Sequence, residues 1–297
     1  MAVIFLFVDG VGLGKRSNEN PFFTTYYESL QILSGENFFN DYIPIYNDTH
    51  LFKAIDANLE IDGLPQSGTG QASLFSGENA SKIIGKHFGP YPHSGIKYLL
   101  EEHSLFHSIN ELGRTPYFIN AYPPVFIDYS MKRNRWSCST LMARSAGLPL
   151  NSTQEIENEV ALTAEIVQNA WREKLKISIP KITAIDAAQR LLHILPGYDL
   201  VMYEYYLTDK AGHNKSHEDA ETVMGPFDEF LLHILKHKKE DDLLVITSDH
   251  GNMEDLSVKT HTRNKVPLMV YGKGAHHFHH VESIVDVKQA ILSTFNL

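Results

Sequence analysis

Three aspartates follow three separate apolar runs. Asp9 comes directly after Val3–Val8, Asp209 one Thr beyond Leu200–Leu207, and Asp249 one Ser beyond Leu243–Thr247. Histidines accompany two of them: His213 lies four residues after Asp209, His250 is adjacent to Asp249, and His261 lies a further eleven residues on. In open parallel sheets ligands bind outside the carboxyl ends of the strands, so acids at three such ends can converge on one site. Taken singly, each Asp is as readily a turn opener or a helix cap, and an isolated D-x-x-x-H spacing is a weak sign. Carboxylate oxygen together with neutral imidazole suits Zn, Mn or Fe better than Ca or Mg, which prefer all-oxygen shells. Three Asp and three His exceed the donors one tetrahedral ion needs, so the pattern predicts two divalent ions sharing the site.

A nucleophile candidate lies in Gly63-Leu64-Pro65-Gln66-Ser67-Gly68-Thr69-Gly70-Gln71, a Gly-rich turn opening a helix that continues through Phe75. Ser67 at such a helix start is beside unpaired N–H groups and the positive dipole end, which stabilise a phosphoryl group or a serine alkoxide. The plainer reading is an ordinary N-cap. Thr69, two residues further in, is the rival hydroxyl. No Gly-Lys-Ser/Thr follows, so this is not a nucleotide-binding P-loop.

These residues need a scaffold that brings strand ends together. Short apolar runs (Val3–Val8, Pro116–Ala121, Leu200–Leu207, Leu243–Thr247, Pro267–Tyr271) alternate with helical patterns, which predicts an α/β fold around a mostly parallel sheet covered on both faces. Thr183 and Asp186 make a capping-box start for a helix over Ala184–Leu195, and Ser216 with Asp219 repeat the signature for a helix towards His237, where Pro226 predicts a kink or restart. A helix is expected from about Glu155 to Trp171, and a terminal amphipathic one over Ser283–Phe295. The irregular stretches 86–103 and 123–182 read as insertions forming a small cap, leaving 1–85, 104–122 and 183–297 as the catalytic core.

The chain has 297 residues, 43% hydrophobic, with 26 basic and 36 acidic side chains and a formal charge of −10. That size supports a sizeable core, and that charge argues against nucleic acid or an anionic membrane as partner. The single cysteine, Cys138, forms no internal disulfide or cysteine metal cluster, so a cytoplasmic protein is expected. The apolar start Met1–Val8 is too short for a membrane span and lacks the basic flank of a signal peptide.

Asp9-Gly10-Val11-Gly12, Ser67-Gly68-Thr69-Gly70, Thr208-Asp209-Lys210-Ala211-Gly212-His213, Ser248-Asp249-His250-Gly251-Asn252-Met253-Glu254 and Thr260–Leu268 together resemble the alkaline phosphatase superfamily. Within it they look most like the cofactor-independent phosphoglycerate mutase and phosphopentomutase branch. The resemblance covers the core and not the cap. It implies a three-layer αβα sandwich and two metal ions, commonly Mn²⁺ in that branch and Zn²⁺ elsewhere. By motif, Asp9, Ser67, Asp249 and His250 would hold one ion, and Asp209, His213 and His261 the other. Ser67 would attack phosphorus in line and form a phosphoserine, resolved by water or by a second hydroxyl.

Two departures bear on activity. Gln71 stands where the mutases usually carry a His, and the large arginine-rich domain of phosphoglycerate mutases has no counterpart of its size here. The sulfatase Cys/Ser-x-Pro-x-Arg motif is absent. The expectation is therefore a phosphomonoester hydrolase acting on a small phosphorylated metabolite, with a phosphomutase, a phosphodiesterase or a non-catalytic metal-binding protein as alternatives. Lys15 and Arg16, after the Asp9 loop, are candidates to reach a phosphate. Arg133, Arg135 and Arg144, in the cap, are candidates to grip a carboxylate or second phosphate, as a guanidinium does bidentately. Solvated surface charge is the competing reading for all five.

Overall fold

A computed structural model describes residues 1–295. Its seven strands are β1 (Val3–Val8), β2 (Ile45–Tyr46), β3 (His50–Ile55), β4 (Pro116–Phe118), β5 (Leu200–Tyr205), β6 (Leu243–Thr247) and β7 (Val266–Tyr271). They form one sheet in the order β2-β3-β7-β6-β1-β5-β4. β1 lies between β5 and β6 and pairs with both in parallel, and β4 extends the parallel half along β5. β7 runs antiparallel to β6, β3 antiparallel to β7, and β2 antiparallel to β3. Five of the seven strands therefore share one direction, a mixed but mostly parallel sheet.

Side chains alternate across a strand, and both faces of β1 are buried, which is why its sequence is uninterruptedly apolar. Val3, Phe5 and Phe7 join Met202, Val245 and Leu268 under the helices Ser67–Ser76, Lys97–Glu102, Cys138–Ser145 and Val287–Ser293. Ile4, Leu6 and Val8 join Tyr203 and Ile246 under Glu28–Ser34, Ala184–Ile194 and His217–His237. The result is the expected three-layer αβα sandwich. Each large apolar side chain so buried contributes roughly 1.5–3 kcal/mol.

Leu99, Leu100, Trp136 and Met142, all from the segments read as insertions, pack in the same cluster as β1, whereas Ile156, Ala161, Trp171 and Ile179 make a small cluster of their own. The helix expected over Glu155–Trp171 is instead two short ones, Thr153–Glu157 and Asn169–Glu173. Between them the chain turns through positive φ at Glu159, Ile166 and Gln168, and Leu162 exchanges backbone hydrogen bonds with Ile119 and Ala121. Pairing with the end of the β4 segment wins over helix propensity there. Pro226 breaks nothing: His217–His237 is continuous through it. The Thr183–Asp186 capping box is present as expected. The C-terminal segment is a short 3₁₀ turn followed by a helix over Val287–Ser293. Among the described residues no helix is long and apolar enough to cross a membrane.

Candidate metal and phosphoryl-transfer site

The three aspartates do meet at one rim of the sheet. Asp9 follows β1, and its neighbour Gly10 has φ +69°, where a Cβ would fall 2.6 Å from Asp209 Oδ1. That position requires glycine on both grounds. β5 ends at Tyr205, earlier than expected, and Asp209 lies in the first turn of a helix over Leu207–Asn214. One helical turn therefore separates Asp209 from His213. Gly212 serves that helix by close approach rather than by a turn: a Cβ there would sit 2.6 Å from the Asn252 side chain. Asp249 and His250 follow β6. Because β7 runs antiparallel to β6, the segment entering β7 starts at the same rim, which delivers His261 to the site.

Two donor groups result. Asp9, Asp249 and His250 offer ligand atoms that all lie within 4.8 Å of one another, and so do Asp209, His250 and His261. His250 Nε2 is 3.4 Å from Asp9 Oδ1, 3.4 Å from Asp249 Oδ2 and 3.0 Å from Ser67 Oγ. In the second group, Asp209 is 3.3 Å from His213 Nε2 and 3.4 Å from His261 Nε2, and the two Nε2 atoms are 3.2 Å apart. His213 Nδ1 donates to the Lys259 carbonyl at 2.8 Å, and His261 Nδ1 donates to the Pro65 carbonyl at 2.6 Å. A carbonyl only accepts, so these bonds keep a proton on Nδ1 and leave Nε2 facing the site, where it donates to Asp209 and would offer its lone pair once a cation displaced that proton.

The donor set fits divalent cations on observations independent of motif. Asp9 Oδ1 and Asp249 Oδ2 are buried without a hydrogen-bond partner, an arrangement that costs free energy unless a positive charge completes it. Burial, then the charges of Asp249 and Asp209, push the Asp9 carboxyl well above its ordinary range. Burial also lowers His250, favouring the neutral imidazole a metal binds. Burial works against the Asp209 carboxylate, yet hydrogen bonds from His213 and His261 hold it well below the usual range, and the Asp209 bond lifts His213 to about 9.

Ser67 is the first residue of the Ser67–Ser76 helix, with Gln66 as the N-cap, so its hydroxyl is not used as a cap. Thr69 is engaged differently: its hydroxyl donates to the Gln66 carbonyl at 3.2 Å and accepts from the Phe88 amide at 3.2 Å. Gln71 donates from Nε2 to Asp9 Oδ2 at 3.0 Å, so this unexpected residue orients an acid of the site.

Around these lies a supporting layer. Asn252 donates to the Asp209 carboxylate at 2.6 Å. Buried Glu254 accepts from the amides of Gly12 and Asn252 and from Thr262 and Asn264, tying together the loops after β1, after β6 and before β7. Glu204, on β5, had not been singled out in the sequence. It accepts from Ser139 at 2.6 Å and Tyr122 at 3.1 Å, and burial pushes it up to about 7 against those bonds. A lone acid inside a buried apolar strand was the available signal.

The basic candidates mostly lie elsewhere. Lys15 is exposed, and Arg16 pairs with Asp41 and covers Phe39. Arg133 lies over Tyr129 and Arg144 over Trp136. Arg135, over Tyr91, lines a cavity next to the Ser67 turn.

Comparison with known proteins agrees with the fold. Residues 162–297 match the model of the Metalloenzyme superfamily. Solved structures similar over 99% of this chain include the PH0037 protein of Pyrococcus horikoshii (TM-score 0.61, 13% identity, 96% of that chain) and the alkaline phosphatase of the Antarctic bacterium TAB5 (TM-score 0.60, 12% identity, 97% of that chain). Residues 162–297 are thus similar to metalloenzymes, and the fold as a whole is like that of an alkaline phosphatase. Among curated proteins, a phosphopentomutase of Clostridioides difficile is 38% identical over 63 residues, 21% of this chain and 16% of that protein. The match thus spans under a fifth of the relative's length.

Proposed function

We propose that the chain is a divalent-metal-dependent phosphoryl-transfer enzyme that hydrolyses a small phosphomonoester through a phosphoserine at Ser67. One observation carries this reading: the Ser67 hydroxyl, at a helix start, is 3.0 Å from Nε2 of His250, the residue both donor groups share. Asp9, Ser67, Asp249 and His250 would hold one ion, and Asp209, His213 and His261 the other, with Mn²⁺ expected and Zn²⁺ the alternative. When bound, such ions supply positive charge that offsets the carboxylates and phosphate and lowers the pKa of the serine.

The chain's own residues supply the rest. The Ser67 and Gly68 N–H groups at the start of the Ser67–Ser76 helix are available to a phosphate anion, the Thr69 amide being held by the Phe88 carbonyl. Ser67 Oγ forms the bond to phosphorus while the ester oxygen departs and takes up a proton. Water then cleaves the phosphoserine to orthophosphate and free serine. The occupied Thr69 hydroxyl supports Ser67 as nucleophile. A second reading, phosphomutase, is favoured by the segment similar to a phosphopentomutase. In it a second hydroxyl of the retained metabolite replaces water in the last step, which demands closer exclusion of solvent.

The test is phosphate release from a panel of phosphomonoesters in Mn²⁺ and in Zn²⁺, with metal content measured on the same samples. Ser67→Ala is expected to lose roughly 10³-fold or more in turnover with its metal retained. Isomerised product without orthophosphate assigns the mutase reading. Full activity in Ser67→Ala, or no metal held after reconstitution, overturns the proposal.

A further inference from the structure

Between the 88–97 segment and Arg135-Trp136 lies a cavity of about 350 Å³, lined by Phe88, Tyr91, His93, Lys97, Arg135 and Trp136 among others. Its size suits a small metabolite. Its wall is also a wall of the Ser67 turn. The Phe88 carbonyl accepts from the Thr69 amide at 2.9 Å, and a Cβ on Gly68 would collide with the carbonyls of Tyr91 and Phe88. A Cβ on Gly89 would lie 3.3 Å from the Ser67 amide nitrogen.

The chemistry of the lining is one-sided. It contains Arg135, Lys97 and His93 and no acidic residue, in a chain whose net charge is −10. Among the described residues neither Arg135 nor Lys97 forms an ion pair with a carboxylate. The aromatic faces are already used. Arg135 covers Tyr91 at 4.0 Å, Arg144 covers Trp136 at 3.9 Å, and Phe88 meets His93 edge-on at 4.9 Å. These walls offer little to a stacking ring. They do hold a guanidinium in place by its face, with its planar donor edge left for a carboxylate or phosphate. His93 Nδ1 accepts from the Gly95 amide, which leaves its Nε2–H as a further donor.

We infer that this cavity is a second anion subsite, and that the substrate is a phosphomonoester carrying another anionic group, carboxylate or phosphate, held by Arg135 and Lys97 while its ester faces Ser67. The inference rests on the phosphoryl-transfer reading above and adds the substrate class.

Calorimetric titration of the Ser67→Ala protein loaded with Mn²⁺ tests it, using ligand pairs that differ by one anionic group. 3-Phosphoglycerate against glycerol 3-phosphate tests a carboxylate, and fructose 1,6-bisphosphate against fructose 6-phosphate tests a second phosphate. The doubly anionic member of at least one pair is expected to bind tenfold or more tighter, and which pair shows it identifies the anion. Adding Arg135→Gln and Lys97→Gln is expected to erase that difference, and Arg135→Lys to restore only part of it. Equal affinities within both pairs, or a preference that survives the double substitution, overturn the subsite and leave the phosphoryl-transfer reading intact. No binding of any of the four, with no phosphate released by the unaltered enzyme from a wider panel, refutes the underlying reading instead.

Discussion

The side chains of Asp9, Asp249 and His250 are sealed in the protein at 9%, 0% and 0% exposure, whereas those of Asp209 and His213 next to them keep 18% and 44%. The sealed group leaves one oxygen of each carboxylate without a partner, and Asp9 is driven towards its neutral form. The open group neutralises itself, with two imidazoles and the Asn252 amide converging on the single Asp209 carboxylate. Two ligand clusters a few ångströms apart thus differ in what they lose without a cation. The sealed one is a standing electrostatic strain that a cation relieves. The open one is a satisfied network that a cation must displace.

Three substitutions can break or sharpen that contrast. Asp249→Asn removes a ligand and the carboxylate that helps drive Asp9 towards its neutral form. It is expected to cut turnover roughly 10³-fold or more. In chelator at neutral pH the same protein should melt roughly 2–4 °C above the unaltered chain, because about 1 kcal/mol or more of repulsion is gone. If the chelated variant melts lower, the sealed group is not strained and the comparison fails.

The second concerns pH. Glu204 has its folded pKa raised from 4.5 to about 7, so its contribution to stability is fully present below pH 4.5 and is lost as pH rises through 7. The loss amounts to roughly 3 kcal/mol. In the chelated chain, Glu204→Gln should flatten the decline in melting temperature between about pH 5 and 8. An unchanged slope would mean that other groups carry it.

The smallest effect is expected in the open group. Asn252→Ala removes a donor to Asp209 and should weaken metal affinity roughly 10–100-fold. Activity should return when metal is added in excess, whereas Asp249→Asn should not be rescued. Equal rescue of both would erase the distinction between the groups.

The acids were legible because each lies beyond a strand buried on both faces, announced by an apolar run that is unbroken in β1 and β6 and interrupted only near its end, by Glu204, in β5. β3 was not, since His50-Leu51-Phe52-Lys53-Ala54-Ile55 carries a lysine. Lys53 is nevertheless buried, and its ammonium reaches Glu282 at 2.5 Å, a partner more than two hundred residues away. The periodicity around Glu155–Trp171 pointed to one helix because Ile156, Leu162 and Ile166 are apolar. They serve two different clusters, and no local pattern encodes that division. Of the five basic candidates, only Arg135 lines the cavity beside Ser67. Which arginine faces a site depends on partners such as Asp41, Tyr129 and Trp136 that spacing does not reveal.

The position of β1 has a consequence for how the protein is made. Val3–Val8 is synthesised about two hundred residues ahead of both its neighbours, Leu200–Tyr205 and Leu243–Thr247. At a synthesis rate of roughly 5–20 residues per second, this strand waits on the order of 10–50 s for its partners. A six-residue stretch of valine, isoleucine, leucine and phenylalanine with no charge is the kind of segment that self-associates when left unpaired. Until β5 and β6 are made, β1 must be kept from other chains by contacts that the finished sheet does not contain.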